Sequence, residues 1–244
     1  MNHTKPESLP PEFDFARFEQ FCERGFSHGV GQADGQVCIE AAISLCMGEG
    51  LDDKPSCVHP VIRAHAIRLN DACWNSPAAR SAGLCDYGLA QLGTANLDGV
   101  EFAKRLAFAT IREILPIALR RAKLGEHAGA CENAQTNQEA LAAARAAKKA
   151  AYAAYAAAYA AASDAAAYAA YAAAYAADAA DAAATYAADV ADAADVADAA
   201  DVADAAADAA YAAADAAERD RILSLSAQIA TRIINEMRGN TVDQ

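Results

Sequence analysis

Four residues in the first quarter of the chain have the types that chemistry uses: Glu40, Asp53, Cys57 and His59. Cys57 and His59 flank a valine in "PSCVHP", with Asp52 and Asp53 just upstream, a set that invites a metal site or an activated thiol. Zinc would need two further ligands from Cys38, Cys46, Cys73 or Cys85, and those spacings fit no known framework. The cysteines read better as small apolar side chains inside a core. Glu40 and Glu49 could work as a carboxylate pair, but nine residues turn a helix by about 180°, so the two would not converge. His65 falls on an apolar stripe and reads as a core histidine. His3, His28 and His127 lie in loops without a spacing signal, and Trp74 reads as a core or lid aromatic. Phosphate-cradling and nucleophile-elbow patterns such as G-x-x-x-x-G-K-[ST], G-x-G-x-x-G, G-x-S-x-G and H-E-x-x-H are missing from the chain. The expectation is a non-enzymatic protein with no catalytic residue, no metal and no cofactor. An enzyme site in the head, built on Glu40, Asp53, Cys57 and His59, stays as an alternative.

The elements that would carry these residues are helices. "FARFEQFCERG" places Phe15, Phe18 and Cys22 on one stripe and ends at Gly25. "QVCIEAAISLCM" has a wide apolar face and stops at the glycines of "GEG". Pro60 suits the first position of a third helix, and Ser76 with Pro77 opens a fourth. The stretch 97–124 reads as one long amphipathic helix kinked at Pro116. No alternating run of strand length occurs, so the head, residues 1–124, is all-α. Residues 125–138 read as a linker by composition.

Beyond the linker the composition changes. Residues 139–237 contain neither glycine nor proline, and 44 of the 68 residues in 150–217 are alanine, the strongest helix former. Residues 139–238 therefore form an alanine-rich helical arm, closed by an amphipathic helix over 218–238 whose stripe is Ile222, Ser226, Ile229, Ile233 and Met237, with Gly239 as its cap. The block "YAAYAAAYAA" occurs twice, giving two ridges: Tyr152, Tyr155 and Tyr159, then Tyr168, Tyr171 and Tyr175. On one straight helix an offset of 16 would turn the second ridge away by about 160°. A turn at Ser163 and Asp164 brings them together, so the arm is expected to fold back as a hairpin or bundle, with the tyrosines either in its seam or against a partner. Further on, aspartates recur every third residue at Asp189, Asp192, Asp195, Asp198, Asp201 and Asp204. They wind around the helix, keep it in water and leave alanine seams suited to close packing.

Charge narrows the classes further. Residues 1–130 carry 13 Lys and Arg against 16 Asp and Glu, a balance of −3, while residues 131–244 carry 7 against 17, or −10. Direct nucleic-acid binding, which needs clustered cations, is not expected. No charge-free window has the Leu, Ile and Phe content of a membrane span, and "MNHTKPESLPPEF" has no apolar leader core, so the expectation is a cytoplasmic protein. Seven cysteines without a C-x-x-C are expected as reduced thiols. The candidate function is self-association or capture of a protein partner through the arm, with oligomers possible. Its tyrosines and aspartates, Tyr152 to Tyr175 and Asp189 to Asp204 as named above, form the candidate surface. An acidic mimic of nucleic acid, inhibiting a DNA-handling or defence protein, is the alternative.

Taken together, "CIEAAISLCMGEG", "DKPSCVHPVIRAHAIRLNDACWNSPAARSAG", "AQLG", "TIREILPIAL", the Ala/Tyr/Asp arm and "ILSLSAQIATRIINEM" resemble uncharacterised, alanine-rich hypothetical proteins encoded by bacteriophages and their bacterial hosts. The resemblance implies a phage or prophage setting and brings no activity or site residues with it.

Overall fold

The structure, a computed structural model, describes residues 9–160, 164–189, 196–211 and 216–241. Among these the regular elements are all α-helices, with a single isolated bridge between Gly31 and Val37. The head contributes α1 (Phe15–Arg24), α2 (Ile39–Cys46), α3 (Pro60–Asn70), α4 (Pro77–Gln91), α5 (Gly99–Glu113) and α6 (Leu115–Arg121). Local chemistry sets their ends. Asp14, Ser76 and Asp98 accept from the backbone N–H groups of Arg17, Ala79 and Glu101 at 3.0, 3.1 and 3.0 Å, satisfying donors that the first helical turn leaves free. Gly25 ends α1 at φ +86°, where a side chain would also collide with Pro77.

The long helix expected over 97–124 is interrupted rather than only kinked. Pro116 has no N–H, and its ring excludes the carbonyl four residues earlier, so α5 stops at Glu113 and α6 restarts at Leu115. The stretch expected as a linker holds a further helix, α7 (Gly125–Asn133). Lys123 makes the reversal at φ +61°, and Ala128 and Cys131, three apart and buried, give α7 an inward face that outweighs its two glycines.

The arm comprises α8 (Asn137–Ala160), α9 (Asp164–Asp189), α10 (Val196–Tyr211) and α11 (Ala216–Thr241). Of the expected turn, Asp164 is the first residue of α9, whereas Ser163 lies outside the described residues. Arg145 bonds Asp181 at 2.8 Å and Lys148 bonds Asp178, which fixes α8 and α9 antiparallel. Between them lie alanines: Ala140, Ala144, Ala147 and Ala151 on α8, with Ala173, Ala177 and Ala180 among those on α9, all 0–1% exposed. Each such methyl contributes roughly 0.8 kcal/mol. A seam that thin needs support, and it comes from the head. α9 packs on α5 and α6, α10 on α9 and α3, and α11 on α4, so head and arm share one continuous core.

The apolar stripe of α11 is buried as its spacing predicts. Gly239, however, lies inside the helix, which continues to Thr241; Arg238 reaches back to the Leu92 carbonyl and holds the last turn in place. At the α4–α11 crossing, a side chain on Gly83 would fall 2.4 Å from the Trp74 ring and 2.7 Å from Ser224, so only glycine allows that approach. The expectation of seven reduced thiols is corrected: Cys22 on α1 and Cys85 on α4 are joined as a disulfide, while Cys38, Cys46, Cys57, Cys73 and Cys131 are not disulfide-bonded. Sequence spacing carries no information on such a pairing, because it is the α1–α4 packing that brings the two sulfurs together. No described helix is long and apolar enough to cross a membrane.

Candidate functional site

The antiparallel register set by Arg145–Asp181 and Lys148–Asp178 brings Tyr152, Tyr155 and Tyr159 level with Tyr175, Tyr171 and Tyr168. The repeat offset that would separate the ridges on one rod thus joins them on a pair. The Tyr155 ring lies 5.4 Å from Tyr171 across the helices, and neighbours along each helix are 6.2 Å (Tyr155–Tyr159) and 4.4 Å (Tyr171–Tyr175) apart, all tilted as aromatic pairs prefer. The Tyr152 hydroxyl donates to Asp178 at 3.3 Å. A hydroxyl bond to Tyr175 and the surrounding phenols push the Tyr171 hydroxyl up to about 12.

These rings do not fill the seam, which belongs to alanine. They stand on its rim: Tyr159 and Tyr168 are 74% and 76% exposed, and Tyr152, Tyr171 and Tyr175 39–42%. Within residues 150–177 the one charged residue is Asp164. A neutral, ring-bearing face of this extent is unusual on a monomer surface.

The aspartate series is placed differently. Asp192 and Asp195 lie outside the described residues. Asp189, Asp198 and Asp201 lie on helices, but their side chains fall outside what is described. Asp204 is half-buried and faces inward, pairing with Arg68 of α3 at 3.2 Å; burial raises its pKa against the pull of that arginine. Asp178 and Asp181 are likewise engaged within the chain by Lys148 and Arg145, the small basic cluster of α8.

In the head, Glu40, Asp53 and Cys57 come within electrostatic reach of one another. Burial raises the Cys57 pKa, and nearby carboxylates add to the shift, which is the reverse of what an activated thiolate requires. His59 turns its Nδ1 to the Val61 N–H at 3.2 Å and caps α3. Burial lowers its pKa, offset in part by Asp98. Glu49 faces solvent and holds the Ser56 N–H and hydroxyl. Among the described residues no three His, Cys, Asp or Glu side chains are grouped to hold a metal.

Two buried polar groups have surroundings that the sequence does not mark. Glu40 is completely buried, and burial pushes its pKa up to about 8. The amide of Gln91, at the far end of α4, pulls that value down from nearby, yet neither carboxyl oxygen and neither amide atom reaches hydrogen-bond geometry. His65 is also fully buried. Its Nδ1 lies 2.9 Å from the Tyr87 hydroxyl and its Nε2 3.2 Å from the Ser226 hydroxyl, tying α3, α4 and α11 together; burial lowers its pKa to about 3. The apolar stripe marks His65 and Ser226 as inward-facing, but their pairing across 161 residues is a product of the fold. Compared with known protein families, curated proteins and solved structures, the chain matches none.

Proposed function

We propose that this is a non-enzymatic accessory protein, in the phage or prophage setting its sequence resembles, that associates with a second copy of itself through the tyrosine face of α8 and α9. The carrying observation is the exposure of five tyrosines on one charge-poor face of a chain with net charge −13. At about 200 Å² for a whole tyrosine side chain, the five exposures leave roughly 500 Å² of ring on each molecule. The alanines between them bring a two-fold contact toward the ~800 Å² per partner of a standard interface. Charge selects a second copy over an acidic partner or a flat contact elsewhere: two molecules of −13 repel everywhere except where their charges are sparse, and this face is such a place. Of the aspartate series that could instead mimic nucleic acid, Asp204, the member whose side chain is described, is engaged inward by Arg68.

Sedimentation equilibrium between ~1 and ~100 µM tests the proposal. Wild type is expected to form dimers that tighten as salt rises from ~0.05 to ~0.5 M, because screening removes the repulsion. Tyr159→Asp with Tyr168→Asp is expected to stay monomeric with unchanged helical circular dichroism. A wild type that remains monomeric at both salts, or a double variant that dimerises equally, refutes it. Association that loosens with salt points instead to a basic partner and also refutes self-pairing.

A further inference from the structure

We infer that the cleft between α1 and the 27–37 loop is a binding site for a free α-amino acid. This site is separate from the tyrosine face and does not depend on it. The cleft encloses about 330 Å³, within the range of small-ligand sites, and is lined by Arg17, Gln20, Phe21, Arg24, Ala33 and Asp34. Arg17, Gln20, Phe21 and Arg24 form one stripe of α1, and the guanidinium carbons of Arg17 and Arg24 lie 5.6 and 5.9 Å from the Phe21 ring centre.

Both guanidiniums lack a carboxylate partner among the described residues. Six arginines, Arg68, Arg105, Arg120, Arg145, Arg221 and Arg232, each have a carboxylate oxygen within 4.0 Å, whereas Arg17 and Arg24, neither so paired, line one cleft together. Arg17 is held in place by one bond, to the Leu45 carbonyl at 2.9 Å, which leaves its other donors for a ligand. Two cations lining one cleft suit a carboxylate, which a guanidinium takes in forked hydrogen bonds.

Asp34 lines the same cleft, also without a hydrogen bond or ion pair among the described residues. A carboxylate there opposes a multiply charged phosphate and suits an ammonium group. Two cations and one anion around a small cleft fit the reverse arrangement of an amino acid, with its carboxylate toward Arg17 and Arg24 and its ammonium toward Asp34. The loop wall is fixed before any ligand arrives. Gln36 donates to the Arg24 carbonyl at 2.7 Å, Ser27 N–H to Val37 at 2.9 Å, and Gly29 N–H to the Asp71 carboxylate at 2.9 Å, so little ordering is required on binding.

The test is calorimetric titration of the full chain with each standard L-amino acid up to ~5 mM, beside the N-acetyl and carboxamide derivatives of whichever binds. At least one amino acid is expected to bind, with each derivative weakened about tenfold or more through loss of one charged contact. Arg24→Gln and Asp34→Asn change exposed side chains and leave the fold intact; each is expected to weaken binding to a similar degree. Absence of binding by every amino acid overturns the proposal. So does equal binding by both derivatives, tighter binding of inorganic phosphate, or binding indifferent to Arg24→Gln and Asp34→Asn.

Discussion

The buried pair Glu40 and His65 predicts an unusual pH profile of stability, and Glu40→Gln isolates half of it. Glu40 titrates near 8 in the folded chain against an ordinary 4.5. Between those values the unfolded chain gives up the proton while the folded one keeps it, so stability is greatest below pH 4.5 and falls as pH rises toward 8. Each pH unit removes about 1.4 kcal/mol, about 5 kcal/mol over the whole span. His65 acts in the opposite sense: folded near 3 against an ordinary 6.5, its contribution is complete above pH 6.5 and is lost as pH falls toward 3. Between pH 4.5 and 6.5 the slopes of these two groups cancel, leaving Asp208, raised by burial to about 6 from an ordinary 3.8, to give a shallow decline up to pH 6. Stability then declines from pH 6.5 to 8 because of Glu40, and below 4.5 because of His65. The groups that act on Glu40 besides burial are Gln91 and Arg63, which lower its pKa, and Asp53, which raises it. Burial also pushes the thiols of Cys38 and Cys46 up to about 12 from an ordinary 9.0, which extends the decline only above pH 9. Urea unfolding followed by circular dichroism, in pH steps from 4 to 9, measures the profile. Glu40→Gln is nearly the same shape and cannot ionise, so it should match wild type near pH 4.5, lose the decline between 6.5 and 8, and be several kcal/mol more stable at pH 8. A variant that keeps the alkaline decline, or a wild type that is flat from pH 6.5 to 8, refutes the reasoning.

Ser226→Ala should cost about 1–2 kcal/mol by leaving His65 Nε2 buried without its partner, read as a lower urea midpoint at pH 7. Ala173→Leu forces a larger side chain into the seam of α9 and should cost about 1–3 kcal/mol, whereas Tyr168→Leu, at an exposed ring, should stay within about 0.5 kcal/mol. Thiol titration of denatured protein prepared without reductant should count five reactive cysteines; seven would show that Cys22 and Cys85 remain apart.

Most head helices were legible because their ends are written in single residues. Pro60, Ser76 with Pro77, and Gly25 act within one turn, and local signals of that kind survive any tertiary arrangement. α7 was obscured by Gly125 and Gly129, which read as breakers, although Ala128 and Cys131 already mark a buried face three residues apart. Gly239 misled in the other direction: a glycine near a helix end is a stop only when the chain has to turn there, and the Arg238 contact with Leu92 holds the helix straight through it. The Cys22–Cys85 bond and the Glu40–Gln91 juxtaposition were not legible, because each joins residues more than fifty positions apart through the packing of whole helices. Glu40 carries no mark of burial in its own type. Only its place on a helix whose residues are all buried gives that away.

The arm explains why alanine and tyrosine can divide the work that leucine does elsewhere. A leucine seam would hold α8 and α9 together without help, but it would also keep the backbones further apart. Alanine lets them approach closely at a small gain per residue, and it forms helix readily, so the pair depends on α5, α6 and α3 beneath α9 and α10 for its position. With the seam filled by methyl groups, nothing in the packing of this pair requires a ring. The tyrosines nevertheless recur in two identical blocks whose spacing meets level for level only when the helices run antiparallel. Aromatic area added outside a finished seam, in a stretch where the acidic series pauses, is left largely exposed despite the ring contacts across the pair, and the proposed pairing with a second copy rests on that exposure.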